Sequence, residues 1–93
     1  MTLKTLRTRI DQIDTRLLRL LNQRASLALM IGRIKKRRKW PVFDATREAA
    51  VLGHVTRINR GPLSPRAARH IFQAILSECR RRERSHKKRS ATR

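Results

Sequence analysis

Aromatic rings, cysteines, glycines and carboxylates are all scarce in this 93-residue chain. Each scarcity closes off a class of protein. There is no Tyr, and Trp40, Phe43 and Phe72 are the only aromatics, too few and not interleaved with the basic residues as platforms for a series of bases. A single cysteine, Cys79, cannot close an intramolecular disulfide, which fits a reducing compartment. No apolar run approaches the ~20 residues that cross a bilayer. The first residues, "MTLKTLRTRIDQID", carry charges every few positions and lack the apolar segment of a signal peptide. A soluble, cytoplasmic protein without a membrane partner is expected. His54, His70 and His86 stand 16 residues apart with no Cys or carboxylate pattern around them, so neither a metal nor a cofactor is expected.

What the chain does contain is positive charge. Lys and Arg number 25 against 6 acids, a formal net charge of +19. Such a balance draws anionic partners over long range but does not define a site. Two cation runs stand out, "KKRRK" at 35–39 and "RRRERSHKKRSATR" at 80–93. The second divides the chain into a helical domain over 1–84 and a basic, disordered tail over 85–93. Unspecific polyanion binding belongs to that tail.

Ninety-three residues make one small domain. Abundant helix formers, no strand alternation and only three glycines give an all-α reading. Leu3, Leu6, Ile10, Ile13, Leu17, Leu20, Leu27, Ile31 and Ile34 form a helical stripe of more than four heptads, which should run until Pro41 expels Trp40 from the helix. Such a helix is roughly 55 Å long, whereas a compact globule of this size is only about 30 Å across. The stripe therefore needs partners beyond two shorter helices, most simply a two-fold homodimer. A second helix should start near Asp44 as N-cap and bury Val51, Leu52, Val55 and Ile58. After "NRGPLSPRAA", Ser64 caps a third, with Pro65 in its first turn and Ala68, Ile71, Phe72, Ile75, Leu76 and Cys79 as its apolar face.

The long stripe is broken at position 24, where Arg24 stands in place of an apolar residue. A guanidinium removed from water must be partnered or open into a cavity. Two readings follow. Arg24 pairs with an acid of another helix and sets register, or it binds an anion, its planar fork matching a carboxylate. Lys35 lies eleven residues on, about 16 Å away on nearly the same face, which leaves room for a small molecule between the two side chains. Arg7 lies roughly 25 Å the other way and reaches the same ligand only from an antiparallel second chain.

"LRTRIDQIDTRLLRLLNQRASLALMIGRIKK" followed by "PVFDATREAAVL" resembles the all-helical chorismate mutases, whose pattern is an Arg early in helix 1, an Arg midway, a Lys near its end, and D-x-x-R-E opening helix 2. The match covers about residues 3–83. The resemblance implies an intertwined homodimer of three-helix chains with two shared sites. It also implies conversion of chorismate, a small dicarboxylate, to prephenate by an intramolecular Claisen rearrangement in Phe and Tyr biosynthesis. By the same resemblance Arg24 and Arg7 of the partner subunit hold the substrate carboxylates, and Lys35 contacts a carboxylate and the breaking ether oxygen. Asp44, through its backbone, and Glu48 meet the ring hydroxyl, while Arg47 supports the carboxylate end. Cys79 falls where the family often has Ser, and Glu83 where it has Gln or Glu. A carboxyl at 83 helps only as a donor, because the ether oxygen can only accept.

A pericyclic rearrangement needs no nucleophile, metal or redox group. It needs a flexible dianion held in its reactive fold and donors where negative charge develops. The rival of the same fold is isochorismate pyruvate lyase, against which the intact "DATRE" counts. A basic helical nucleic-acid-binding protein is the rival from another class.

Overall fold

In the computed structural model the chain forms three helices, α1 (Leu3–Arg38), α2 (Ala45–Ile58) and α3 (Pro65–Thr92). The structure describes the backbone of residues 1–92 and the side chains of residues 1–84. The expectation of a basic tail over 85–93 concerns side chains outside the described ones. Among the described residues no helix is long and apolar enough to cross a membrane.

Local chemistry sets most of the boundaries. The Thr2 hydroxyl accepts from the Thr5 amide and opens α1. The helix stops one residue earlier than the Pro41 argument predicts, because Lys39 turns left-handed with φ 58°. Its amide then donates to the Lys36 carbonyl at 3.2 Å, and the Trp40 amide donates to the Lys35 carbonyl at 2.8 Å. This double closure satisfies carbonyls of the last turn before the proline is reached. The four cations Lys35 to Arg38 also suit the negative end of the helix. Asp44 caps α2 as expected, its carboxylate accepting from the Arg47 amide at 3.0 Å. Ser64 caps α3 through the Ala67 amide at 3.0 Å.

α3 packs against both other helices. It runs parallel to α1, since Arg24 meets Cys79 and Lys35 meets Glu83. It runs antiparallel to α2, whose first turn meets Arg80 while Val55 and Ile58 lie beside Ala68 and Phe72. The result is a slab of 53 × 32 × 14 Å, little more than one helix thick. A slab of this thickness cannot enclose a large core. Ala28, Leu52, Val55, Ala68, Leu76 and Cys79 are buried, yet no described side chain falls below 2% exposure. Ile58 and Ile71, expected in the core, are exposed at its edge.

The face that α1 turns to α3 is not the Leu/Ile stripe. Within the chain α1 buries only Ala28 and Gly32, with Leu21, Arg24, Ala25 and Lys35 half-buried beside them. All nine stripe residues that mark the 3.5-residue rhythm remain exposed, from Leu3 at 64% to Ile34 at 39%. Small residues decide which face packs because they let the helices approach. A Cβ at Gly32 would lie 3.0 Å from Glu83 Cα and 3.1 Å from its carbonyl oxygen.

Two glycine substitutions isolate this contact. Gly32→Ala and Gly53→Ala gain similar helix propensity, but a Cβ at Gly53 meets nothing closer than Arg57 Nη1 at 3.6 Å. Gly32→Ala is therefore expected to be the less stable of the two by about 1–3 kcal/mol, the usual range for overpacking. Urea unfolding at matched protein concentration measures the difference, and equal stabilities would refute the tight crossing.

Candidate active site

A cavity of about 300 Å³ opens between the C-terminal half of α1, the start of α2 and the middle of α3. Seven of the eight residues singled out from the sequence line it: Arg24, Lys35, Asp44, Arg47, Glu48, Cys79 and Glu83. Arg7 does not. It is exposed on the N-terminal half of α1, on the same unpartnered length of helix as Leu6 and Ile10.

Each polar wall group is placed by the helix that carries it. Arg24 is half-buried on α1, and its Nη1 donates to Cys79 Sγ at 3.1 Å. The partner across the helix interface is thus a thiol and not a carboxylate, so the register-setting ion pair with an acid is absent among the described residues. Lys35 Nζ donates to the Val42 carbonyl at 2.6 Å and to Glu83 Oε2 at 3.3 Å. The first bond anchors the α1–α2 connection, and the second closes the top of the cavity. The Lys35 and Glu83 side chains are only 16% and 10% exposed, so the pair is largely withdrawn from solvent. Asp44 spends a carboxylate oxygen on the α2 cap and lines the cavity there. Arg47 is exposed at the rim.

One wall residue was missed by sequence reasoning. Arg80 lines the cavity, and its Nη1 donates to both carboxylate oxygens of Glu48, each at 3.1 Å. Its guanidinium carbon lies 5.2 Å from the centroid of the Phe43 ring. Arg80 opens the run "RRRER" and is read with it as surface charge. The available signal was its spacing: it stands four residues after Leu76, which is buried, and three before Glu83, so it shares their side of α3. Trp40 is 54% exposed, with the Arg38 guanidinium 4.8 Å from its ring centroid.

The cavity thus presents four cations and three carboxylates on an otherwise apolar wall that includes Leu27, Ile31, Val42, Val51 and Leu76. Two cations are already tied to carboxylates, Lys35 to Glu83 and Arg80 to Glu48. Arg24 and Arg47 have no carboxylate partner among the described residues. No hydroxyl, thiol or imidazole is arranged with a neighbouring base as an activated nucleophile. Guanidinium groups spaced along a concave apolar surface suit a small, rigid-ringed anion, which they can bind and orient.

The same arrangement of sequence recurs in known proteins. Residues 6–84 match the family described as chorismate mutase type II. Over 81 residues the chain is 41% identical to a bifunctional chorismate mutase/prephenate dehydratase of Aquifex aeolicus, an alignment that covers 83% of this chain and 22% of that protein. Over 82 residues it is 40% identical to the protein of the same description in Pseudomonas aeruginosa, with the same coverage. The chain therefore spans about a fifth of the length of these curated relatives. Its fold superposes on the structure of chorismate mutase (form II) from Thermus thermophilus with a TM-score of 0.86 at 31% identity, covering 87% of this chain and 92% of that one. A match over most of the chain in sequence, supported by the same helical architecture, assigns the protein to a family: it belongs to the chorismate mutases of type II.

Proposed function

We propose that the chain catalyses the rearrangement of chorismate to prephenate, in the cytoplasm, as a homodimer whose sites are shared between chains. The observation that carries this reading is the cavity itself, where Arg24, Lys35, Asp44, Arg47, Glu48 and Glu83 converge from three helices on one concave, partly apolar surface. Arg24 takes one carboxylate of the dianion. Lys35 exchanges part of its contact with Glu83 for a substrate carboxylate and the ether oxygen on which charge grows. Glu48 and the backbone at Asp44 receive the ring hydroxyl, and Arg47 supports the carboxylate end from the rim. The rate gain comes from holding the compact conformer and from fixed donors at the breaking C–O bond.

The homodimer follows from the apolar stripe that α1 leaves exposed and from the thinness of the slab. An antiparallel second α1 would cover the stripe and bring Arg7 of the partner subunit to the open side of the cavity. In this reading residues 1–84 form the catalytic unit, and the basic segment 85–93 lies outside it.

Arg24→Ala and Lys35→Ala are each expected to lower kcat/KM for chorismate by about 10²–10³, the usual cost of one electrostatic contact to developing charge. Helicity by circular dichroism should be retained. Near-normal turnover by the Lys35 variant would refute the mechanism.

Mixing inactive Arg7→Ala chains with inactive Arg24→Ala chains should restore part of the activity, because a heterodimer carries one site with both lesions and one with neither. Subunit exchange without recovery would refute the shared site.

Glu83→Gln is expected to raise kcat at neutral pH by roughly threefold to tenfold, the worth of about one neutral hydrogen bond. The ionised carboxylate can only accept, whereas the amide donates to the ether oxygen at nearly the same size. A fall in kcat would mean that Glu83 serves chiefly to hold Lys35.

A further inference from the structure

We propose that Arg80 is a positioning residue, which clamps Glu48 so that its carboxylate presents one fixed edge to the ring hydroxyl of the substrate. The inference rests on the mutase reading of the cavity and adds a residue to which that reading assigns no role.

The geometry separates clamping from direct substrate binding. Arg80 Nη1 is 3.1 Å from both oxygens of Glu48, so one nitrogen straddles the carboxylate and fixes its rotation. The guanidinium carbon lies 5.2 Å from the Phe43 ring centroid, so the arginine is itself held on its other side. The two side chains are only 26% and 19% exposed, which weakens competition from water for the pair. The clamp joins three elements that are otherwise loosely connected. Phe43 belongs to the α1–α2 connection, Glu48 to the first turn of α2, and Arg80 to α3. The backbone of α2 packs closely on α3 and not on α1, so that turn is held mainly from the α3 side.

Charge requires the clamp as well. A carboxylate facing a cavity that must admit a dianion repels it unless a cation sits behind that carboxylate. Glu83 has Lys35 in this position and Glu48 has Arg80. Without Arg80 the lining would carry three cations and three carboxylates, with no positive excess of its own. A carboxylate free to rotate would also offer the hydroxyl a poorly directed acceptor, and loss of reactive orientation is costly in a reaction driven by orientation.

The test is a double-mutant cycle with a second, substrate-free readout. Arg80→Met should lower kcat/KM for chorismate by roughly 10–100-fold, the scale of a small misplacement at a site. Arg80→Lys, which keeps a cation able to straddle the carboxylate, should retain most of the activity. In a Glu48→Gln background, and with a substrate analogue lacking the ring hydroxyl, the Arg80→Met loss should shrink to about threefold or less, because contacting residues are not additive. In the ligand-free protein, amide exchange at Arg47 and Glu48 should accelerate on Arg80→Met and stay near wild type on Arg80→Lys. Equal losses in both backgrounds and with both substrates would overturn the clamp and make Arg80 a direct charge on the substrate. Unchanged exchange at the α2 start would overturn it too. If Arg80→Met fails to fold, Arg80→Gln takes its place in the cycle. An unmodified protein that does not convert chorismate would overturn the mutase reading alone, since the exchange measurement uses no substrate.

Discussion

The absence of a side chain at Gly32 lets α3 cross α1 with Glu83 Cα about one atomic contact from the glycine backbone, and the register of every other pair in the site depends on that crossing. Parallel packing then repeats at helical intervals. Arg24 meets Cys79 two turns below, and Lys35 meets Glu83 one turn above. If the helices stood further apart, Lys35 could not reach both Glu83 and the Val42 carbonyl. Lys35 would then tie the α1–α2 connection to α1 without also tying α3 to it. The small residues Ala25, Ala28 and Gly32 are thus as much a part of the site as the cations, although none of them carries chemistry.

The cavity answers an electrostatic difficulty. A wall of bare cations would bind a dianion tightly without distinguishing its conformers, and binding the ground state as well as the transition state gains nothing in turnover. Here two of the four lining cations are held by carboxylates, and a third is held by a thiol. Glu48 and Glu83 thus each orient one of these cations. In the proposed mutase reading, this arrangement is preorganised before substrate arrives, so little reorganisation is needed as charge moves along the breaking bond.

Most of the positive charge has no part in this. Arg38 lies over an exposed Trp40, and Lys36, Arg37 and Lys39 face solvent at the end of α1. Their proximity to the cavity places a positive field at its mouth, which favours approach of an anionic substrate and weakens with salt. The remaining large feature, the exposed stripe of α1, is a deficit of the single chain. A slab one helix thick has two broad faces and enough apolar side chains for more than one of them. Its own α3 covers the small-residue face, and the large-residue face is left for another surface.

Local patterns were enough to place the three helices, the caps at Asp44 and Ser64, and the break at Arg24, whereas Arg47, Glu48, Cys79 and Glu83 entered as site residues only through the family resemblance. The helices, the caps and the break are each a property of one helix or one turn, where spacing alone decides which side chains share a face. Apart from the early stop of α1 at the left-handed Lys39, what the sequence did not show concerns relations between helices. The Leu/Ile stripe was the natural choice for the buried face of α1, yet α3 packs on the smaller residues, because close approach of backbones outweighs side-chain size at that crossing. Arg80 looked like one more cation in a basic run, and only the rotation of α3 about its axis turned it toward Glu48. Lys35 with Glu83 and Arg24 with Cys79 are separated by 48 and 55 residues, so no periodicity links them. Spacing along one helix determines what a face contains, but which face meets which, and at what register, is set by the distance at which two backbones can pack.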